Sequence, residues 1–229
     1  MDRFEAEAGK EKGVLIYGGS FNPPHIGHTR LAIEAREKLG HLLDEVVFMP
    51  VHTPPHKDPR GLLPFSFRAR MIRESVARYS WMRCSELENE RSGPSYTIDT
   101  LKLFRERNPN KRAYFLIGSH DFSLLPEWRD WRELFSLVSF AVAPRGNFSF
   151  EDLVRVARGM APDIAVLRYD APSPAGRAVI YFPAHFLDIS SSLIREKWLR
   201  NENIDYLAPD PVADLLNQNK DFVKKYWRE

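Results

Sequence analysis

Short apolar runs alternate with amphipathic segments along the chain, and this alternation limits the fold more than any other feature of the sequence. Short apolar runs are typical of buried strands, and the amphipathic segments between them are typical of helices that cover a parallel sheet. The predicted strands are Val14–Tyr17, Glu45–Pro50, Ala113–Ile117 and Val138–Ala143. The predicted helices are about Gly27–Leu39, Phe67–Tyr79, Thr97–Arg107, Ser191–Leu199, Pro211–Asn217 and Asp221–Tyr226, and Asp170–Arg177 form a loop by composition. The sequence therefore predicts an α/β fold with a doubly wound parallel sheet and a small helical C-terminal part.

Size and composition favour one domain. The 229 residues are 43% hydrophobic, which is enough for a sizeable buried core. We expect a single Rossmann-like domain over residues 13–229, with its C-terminal helices starting at about residue 190. Residues 1–12 mix charges without an apolar run, so we expect a flexible tail there and no signal peptide.

Charge and cysteine content narrow the class of protein. The chain has 33 Lys and Arg residues and 31 Asp and Glu residues, and the net charge of +2 argues against a dedicated nucleic-acid-binding face. No apolar stretch approaches the roughly 20 residues that span a bilayer. Cys84 is the only cysteine, which excludes a disulfide within one chain and favours a reducing compartment. We therefore expect a cytoplasmic enzyme without a nucleic-acid or membrane partner, and a homo-oligomer stays an open alternative.

The turn after the first strand carries the strongest chemical signal. Starting at Gly18, its sequence is Gly-Gly-Ser-Phe-Asn-Pro-Pro-His-Ile-Gly-His. Gly18 and Gly19 let a ligand approach bare backbone, and the helix that opens near Gly27 offers N–H groups and a positive dipole end to a phosphate. His25 and His28 are three residues apart, so both imidazoles can face one side and donate hydrogen bonds to phosphate oxygens. The spacing predicts a phosphate-binding site in which two histidines stabilise charge.

Two other interpretations of this turn are open. In one, it is a plain turn, and His28 is an ordinary residue of the helix start. In the other, His25 and His28 bind zinc, although no cysteine lies near them in the sequence and no second ligand pair has suitable spacing.

Later segments add candidate binding residues. Lys57 ends a proline-rich loop after the second predicted strand, where it is either a solvated cation or a phosphate ligand. Thr97 is a candidate cap of the helix that it begins. Trp128 and Trp131 are three residues apart, which would place both indoles on one helical face, either in the core or as a stacking surface for a flat heteroaromatic ring.

Three arginines also belong to predicted helices. Arg195 stands one turn after the N-cap candidates Ser190–Ser192, so the start of that helix could hold a phosphate as well. Arg68 and Arg70 follow the proline-rich loop, and a solvated helix face explains either of them.

Taken together, the motifs resemble the nucleotidyltransferase superfamily of the His-x-Gly-His type and, within it, the bacterial nicotinate-nucleotide adenylyltransferases. The superfamily signature is matched by Gly19, Ser20, Phe21, Pro23, His25, Gly27 and His28. The narrower resemblance rests on segments 54–57, 95–101, 189–195 and 206–209, together with Gly118 and Trp128. The same tetrapeptide marks class I aminoacyl-tRNA synthetases, but their Lys-Met-Ser-Lys-Ser loop does not appear in this sequence.

The resemblance implies an activity and a set of site residues. The activity is transfer of AMP from ATP to the 5′-phosphate of nicotinate mononucleotide, which gives deamido-NAD (nicotinate adenine dinucleotide) and pyrophosphate in NAD biosynthesis, with Mg²⁺ accompanying ATP. The implied catalytic residues are His25, His28, Lys57 and Arg195. The implied ATP-binding residues are Gly18, Gly19, Ser20, Phe21, Gly27, His28, Gly118, Ile189, Ser190, Ser191 and Arg195. The implied residues for the pyridine nucleotide are Asn22, Lys57, Tyr96, Thr97 and Trp128, and no metal ligand is implied.

The sequence departs from the family pattern after the strand that ends near residue 117. Gly118 is followed by Ser-His-Asp where the family has Ala-Asp, so His120 occupies the aspartate position and Asp121 is the alternative carboxylate. The preference for nicotinate over nicotinamide mononucleotide rests on the resemblance alone. The alternative functions are a sister nucleotidyltransferase that acts on another phosphate ester, such as phosphopantetheine, and a non-catalytic nucleotide sensor.

Overall fold

A computed structural model describes residues 12–55 and 60–227, and one sheet of seven parallel strands forms its centre. The strands are β1 (Gly13–Gly19), β2 (Leu43–Pro50), β3 (Met82–Cys84), β4 (Ala113–Gly118), β5 (Ser139–Ala143), β6 (Ala165–Arg168) and β7 (Ala178–Tyr181). Their order across the sheet is β3-β2-β1-β4-β5-β7-β6, and every neighbouring pair is parallel. The prediction of a parallel α/β sheet is confirmed.

Helices connect the strands and cover both faces of the sheet. They are α1 (Ile26–Leu39), α2 (Phe65–Val76), α3 (Thr97–Arg107), α4 (Ser119–Ser123), α5 (Trp131–Leu137), α6 (Phe150–Met160), α7 (Ser191–Leu199), α8 (Asp210–Gln218) and α9 (Lys220–Trp227). Short 3₁₀ helices occupy Leu87–Glu90 and Leu125–Glu127. Among the described residues, no helix is long and apolar enough to cross a membrane.

Successive side chains of β1 show that the sheet is buried on both sides. Val14 and Ile16 pack in one apolar core together with residues of α3, α5 and α6, whereas Leu15 packs in a second core with residues of α1 and α2. A strand between two helical layers requires this alternation, because its side chains point to opposite faces with a period of two. A third core, which includes Ile194 and Trp198, joins α7, α8 and α9 to α2.

The strand order reverses next to β1, and this reversal positions the candidate site. Ile16 of β1 is paired with Val47 of β2 on one side and with Phe115 of β4 on the other. At such a switch point the connecting segments diverge and leave a crevice at the carboxyl ends of the strands. β1, β2 and β4 all end at this edge of the sheet, so the loops that were predicted to bind substrates leave the sheet side by side.

The sequence patterns predicted most of the elements that surround the crevice. The limits of α3 and α7 agree with the prediction, and those of the other predicted elements differ from it by at most three residues. The strands β3, β6 and β7 and the helices α4, α5 and α6 were not predicted. The three missed strands have three or four residues each, too few for a clear alternating pattern.

Two local predictions are wrong. Thr97 is the first residue of α3 and not its cap, because the N-cap is Tyr96, whose side chain makes no capping hydrogen bond. Trp128 and Trp131 do not share a helix. Trp128 is extended at the end of a 3₁₀ helix, Asp130 is left-handed with a φ of 51°, and Trp131 begins α5. A left-handed residue interrupts helical geometry, so the three-residue spacing no longer sets a common face.

Two further predictions concern irregular segments. The predicted loop Asp170–Arg177 lies between β6 and β7, where the structure has turns and irregular backbone. The predicted N-terminal tail falls on residues 1–11, which lie outside the described residues, and on Lys12, which precedes β1.

Candidate active site

The turn between β1 and α1 brings the two predicted histidines into contact. His25 is the N-cap of α1, and its backbone N–H donates to Nδ1 of His28 over 3.1 Å. The two imidazole rings stack, with their centroids 3.6 Å apart and their planes 30° apart. The predicted placement of both rings on one side of the helix start is therefore confirmed.

His25 is the more buried of the two histidines. It is 9% exposed, and within the described part of the chain its buried Nδ1 has no hydrogen-bond partner. Burial lowers its pKa to about 4, because the charged imidazolium loses its hydration. At neutral pH His25 is therefore a neutral imidazole.

The ring of His28 packs against two aromatic rings, one from β1 and one from the turn that follows it. Its ring centroid lies 4.9 Å from that of Phe21 and 5.9 Å from that of Tyr17. Phe21 is buried and adopts a left-handed backbone conformation with a φ of 47°, which turns its ring back under the histidine. This packing fixes the half-buried His28 ring at the mouth of the crevice.

Two glycines of the turn are needed for close packing. A Cβ atom at Gly27 would lie 3.0 Å from Nδ1 and 3.1 Å from Cε1 of His25, so a larger residue would displace that ring. A Cβ atom at Gly19 would lie 3.1 to 3.3 Å from the ring of Phe21. Both glycines therefore leave room for the aromatic stack.

The start of α7 is bound directly to the same turn. The guanidinium of Arg195 donates to the carbonyl oxygen of Asn22 over 2.8 Å, and Ser191 Oγ donates to the carbonyl oxygen of Pro23 over 2.8 Å. Ser190 caps α7, since its Oγ accepts from the backbone N–H of Leu193 over 3.1 Å. Two helices, α1 and α7, thus begin beside one turn, and the partial positive charge at each N-terminus favours an anion between them.

Arg195 and Ile189 complete this side of the crevice. Burial lowers the pKa of Arg195, although a guanidinium stays protonated at neutral pH. Ile189 lies in the extended segment before α7 and packs against the third core.

The side chain of Asn22 is engaged within the protein. Its Nδ2 donates to the carbonyl oxygen of Gly61 over 2.7 Å, and its Oδ1 accepts from the backbone N–H of Leu63 over 3.1 Å. Asn22 thereby ties the turn to the segment that precedes α2. A contact from Asn22 to the pyridine nucleotide stays a prediction.

Three of the residues predicted for the pyridine nucleotide, Tyr96, Thr97 and Trp128, lie on the β4 side of the crevice. Trp128 is half-buried, and its ring meets Phe115 edge to face with centroids 6.4 Å apart. The ring of Phe115 also packs next to Gly18. A Cβ atom at position 18 would lie 3.5 Å from this ring, which is an ordinary van der Waals distance. The guanidinium of Arg129 lies 4.7 Å from the ring centroid of Tyr96, so the start of α3 and the segment around Trp128 are adjacent.

The departure from the family pattern lies at the end of β4. Gly118 is the N-cap of α4, and His120 and Asp121 are both exposed in that helix. Burial raises the pKa of Tyr17, and the carboxylate of Asp121 adds to this rise. Asp121 is the acidic residue of α4.

Lys57 belongs to segment 56–59, which lies outside the described residues. Its predicted role at a phosphate stays a prediction. In the parts of the chain that the structure describes, no group of three His, Cys, Asp or Glu side chains is placed to hold a metal ion.

The sequence interpretation missed two buried charged residues beside the site, Arg68 and Glu88. Arg68 lies three and four residues before Met71 and Ile72 of the predicted apolar stripe of α2, so helical spacing alone would have placed it on the buried face. No comparable sequence signal marks Glu88, which lies in a 3₁₀ helix.

Comparisons with known proteins agree with this geometry. The model of the cytidylyltransferase-like family matches residues 16–197. The "Probable nicotinate-nucleotide adenylyltransferase" of Pelobacter propionicus is 37% identical over 213 residues, which cover 90% of this chain and 96% of that protein. A protein of the same name from Bacillus pumilus is 30% identical over 208 residues, covering 91% of this chain and 97% of that protein.

The same fold occurs among solved structures. The nicotinic acid mononucleotide adenylyltransferase of Plasmodium falciparum, in complex with NaAD, superposes with a TM-score of 0.70 over 95% of this chain and all of that one. The two sequences are 21% identical, so this similarity concerns the fold.

Proposed function

The chain belongs to the nicotinate-nucleotide adenylyltransferase family, and we propose that the crevice at the carboxyl edge of its sheet is where AMP passes from ATP to the 5′-phosphate of nicotinate mononucleotide. The products are deamido-NAD and pyrophosphate, and the reaction belongs to NAD biosynthesis. One observation carries the choice of site. The stacked pair His25 and His28, and the guanidinium of Arg195, converge on one turn between two helix N-termini.

The proposed reaction is a direct transfer without a protein nucleophile. An oxygen of the mononucleotide 5′-phosphate attacks the α-phosphorus of ATP in line, the bond to the bridging oxygen breaks, and pyrophosphate leaves with that electron pair. Such transfers depend mainly on positioning and charge stabilisation. Correct alignment of two reactants supplies roughly 7–11 kcal/mol. One helix dipole supplies only about 0.3–1 kcal/mol, so side chains must carry most of the charge stabilisation.

The proposed division of work follows from burial. The neutral His25 ring donates from its N–H to a phosphate oxygen, and an anion beside the ring favours the protonated form. His28, at the mouth, and Arg195, which is positively charged throughout, stabilise the charge that develops on the leaving pyrophosphate. Lys57 is assigned to the same phosphates on the family resemblance.

Other site residues are assigned to the two substrates. Gly18, Gly19 and Gly118 give the nucleotide access to backbone at the ends of β1 and β4. Tyr96, Thr97 and Trp128 line the pocket for the pyridine ring, supported by the contact between Trp128 and Phe115 and by the proximity of Tyr96 to Arg129.

ATP enters as its magnesium chelate in this proposal. Mg²⁺ is commonly bound through substrate phosphates with one or two carboxylates and several waters. The charged groups at the turn are nitrogen donors, which suit phosphate oxygens and not a magnesium ion. The phosphates of ATP therefore hold the ion, and the side chains of the turn bind the phosphates.

The proposed setting follows from the whole chain. A net charge of +2 and a single cysteine support a cytoplasmic protein that acts on small nucleotides without a nucleic-acid or membrane partner. We place the enzyme in one domain over residues 13–229.

Release of pyrophosphate from a panel of substrates tests the proposed function. Nicotinate mononucleotide, nicotinamide mononucleotide and phosphopantetheine are each combined with ATP and with CTP. We expect release with ATP and nicotinate mononucleotide, with a kcat/KM about tenfold or more above that of the amide, because a site that binds the carboxylate leaves polar groups unpaired with the amide. Equal values for acid and amide would contradict the substrate assignment. Turnover only with phosphopantetheine or CTP would identify a sister enzyme, and ATP binding without turnover would identify a sensor.

A further inference from the structure

Arg68 is a fully buried charged side chain whose three hydrogen bonds all go to backbone carbonyls of the crevice loops. On α2, its Nη1 donates to the carbonyl oxygen of Ser20 over 2.7 Å, and its Nε donates to that of Leu63 over 2.8 Å. Its Nη2 donates to the carbonyl oxygen of His52 over 3.3 Å. One guanidinium thus joins the histidine turn, the loop that follows β2 and the segment that precedes α2.

Glu88 binds the backbone of the same residue, His52, through its N–H. The carboxylate is 7% exposed, and its Oε2 accepts from the backbone N–H of His52 over 3.1 Å. Its Oε1 accepts from the hydroxyl of Thr100 over 2.6 Å, and Thr100 lies in the first turn of α3. The backbone of His52 is therefore held by two buried groups of opposite charge, one on the N–H of the peptide before its Cα and one on the C=O of the peptide after it.

A pair of bonds between Thr53 and Ser95 reinforces this link. The backbone N–H of Thr53 donates to Ser95 Oγ over 3.2 Å, and the backbone N–H of Ser95 donates to the carbonyl oxygen of Thr53 over 2.9 Å. A continuous series of hydrogen bonds therefore runs from the ATP turn at Ser20, through Arg68, His52 and Glu88, to the start of α3 at Thr100. The two ends of this series are the two subsites of the proposed reaction.

The chemistry of the link is unusual for a purely structural contact. Burying a guanidinium and a carboxylate costs several kcal/mol per ion, and apolar residues of similar volume commonly stabilise a fold as well or better. Burial lowers the pKa of Arg68 to about 10, so it remains a cation at neutral pH. What the charged pair supplies and an apolar pair could not is a set of directed hydrogen bonds between the backbones of these loops.

We propose that Arg68 and Glu88 are positioning residues, which clamp the backbone of His52 between them and so hold the ATP turn and the pyridine-nucleotide pocket in the alignment that in-line transfer requires. Neither residue touches a reacting atom. The assignment rests on the proposed function, because only a reaction between two bound substrates depends on the relative position of these subsites.

Steady-state kinetics on matched variants test the clamp. We expect Arg68→Lys and Glu88→Ala to lower kcat about tenfold or more, because misplacing reactants by about 1 Å costs that much or more. The KM values for ATP and for the mononucleotide should stay within about threefold, because each subsite remains intact. Glu88→Gln should recover kcat to within about threefold of wild type, since its amide can accept from the His52 N–H and donate to Thr100 Oγ. The controls are Arg70→Lys on the exposed face of α2 and Glu90→Ala in the same 3₁₀ helix as Glu88, and both should match wild type.

Amide hydrogen exchange at His52 provides a readout that does not depend on turnover. Loss of its acceptor in Glu88→Ala should speed exchange about tenfold or more relative to Glu90→Ala. Faster exchange with an unchanged kcat would overturn the clamp and leave the proposed function intact. If the wild-type protein shows no turnover with nicotinate mononucleotide, the proposed function fails. In that case the exchange rate of the His52 amide still tests the clamp, and an unchanged rate in Glu88→Ala would overturn it. If Arg68→Lys does not fold, the kinetics of Glu88→Ala and Glu88→Gln test the clamp. If none of the three variants folds, the pair serves the fold alone and the clamp is overturned.

Discussion

The imidazole rings of His25 and His28 stack with their centroids 3.6 Å apart, and the ring at the helix cap is the more deeply buried. The pair therefore combines a neutral, enclosed ring with one at the mouth of the crevice. In the proposed reaction, both rings contact the triphosphate from the same side of the turn. The difference in burial also gives the pair a signature in the dependence of stability on pH.

The unfolding free energy should fall below neutral pH because of His25. Its folded-state pKa is about 4, below the value of about 6.5 of an unfolded histidine, so the unfolded chain binds an additional proton between these two values. The free energy of unfolding therefore falls by about 2 to 3 kcal/mol as the pH falls through about 6.5 towards 4. Urea unfolding at pH 7 and at pH 4.5 measures the loss.

His25→Gln should lose correspondingly less stability over the same interval, whereas His41→Gln should behave as wild type, since His41 is exposed. Equal losses in wild type and His25→Gln would show that burial of this ring does not control its protonation.

Gly27→Ala should lower kcat about tenfold without unfolding the protein, because the new Cβ atom would contact the His25 ring at 3.0 to 3.1 Å and displace it. Gly159→Ala is the matched control. Gly159 lies within α6, and apart from its chain neighbours and the backbone of that helix no described atom lies within 4 Å of the added methyl group, so this change should stabilise the protein by about 0.5–1 kcal/mol and leave kcat unaltered. Wild-type kcat in Gly27→Ala would mean that the position of the His25 ring does not matter.

Trp128→Ala should raise the KM for the mononucleotide about tenfold, since aromatic stacking contributes about 0.5–1.5 kcal/mol beyond area burial. The KM for ATP should not change, because Trp128 packs against Phe115 of β4 and is assigned to the pyridine ring alone. Trp131→Ala removes an equal side chain that packs near Phe135, and it should affect stability more than either KM. An equal rise in both KM values for Trp128→Ala would contradict the assignment of Trp128 to the pyridine pocket.

Strong sequence patterns predicted the elements that frame the crevice, and one comparable pattern was overlooked. α3 begins and ends where the spacing of Ile98, Leu101 and Phe104 predicted. α6 was missed although it carries a full capping box, in which Ser149 Oγ accepts from the backbone N–H of Asp152 and the Asp152 carboxylate accepts in return. That helix was within reach of sequence reasoning.

For Arg68, two local sequence signals give opposite predictions of burial. Its spacing relative to Met71 and Ile72 favours burial, whereas its charge favours solvent, and only the tertiary arrangement decides between them. The carbonyls that it satisfies belong to residues 20, 52 and 63, which the folded chain brings together. A pattern within one helix contains no information about these partners.

The link between Arg195 and Asn22 is a similar case. It joins residues 173 positions apart through a backbone oxygen, and any residue type supplies such an oxygen. The sequence therefore predicted that the start of α7 bears a phosphate-binding residue, but not that this residue braces the histidine turn.

The kcat of His28→Ala, measured for pyrophosphate release from ATP and nicotinate mononucleotide, tests the central claim most directly. His41→Ala is the matched control, because His41 lies just beyond the other end of α1, where its ring contacts the carbonyl oxygen of Ala171. We expect kcat to fall about a hundredfold or more for His28→Ala, as for the loss of one group that stabilises transition-state charge, with the fold retained and the control unaffected. A kcat for folded His28→Ala within about threefold of wild type would contradict the assignment of catalysis to the histidine turn.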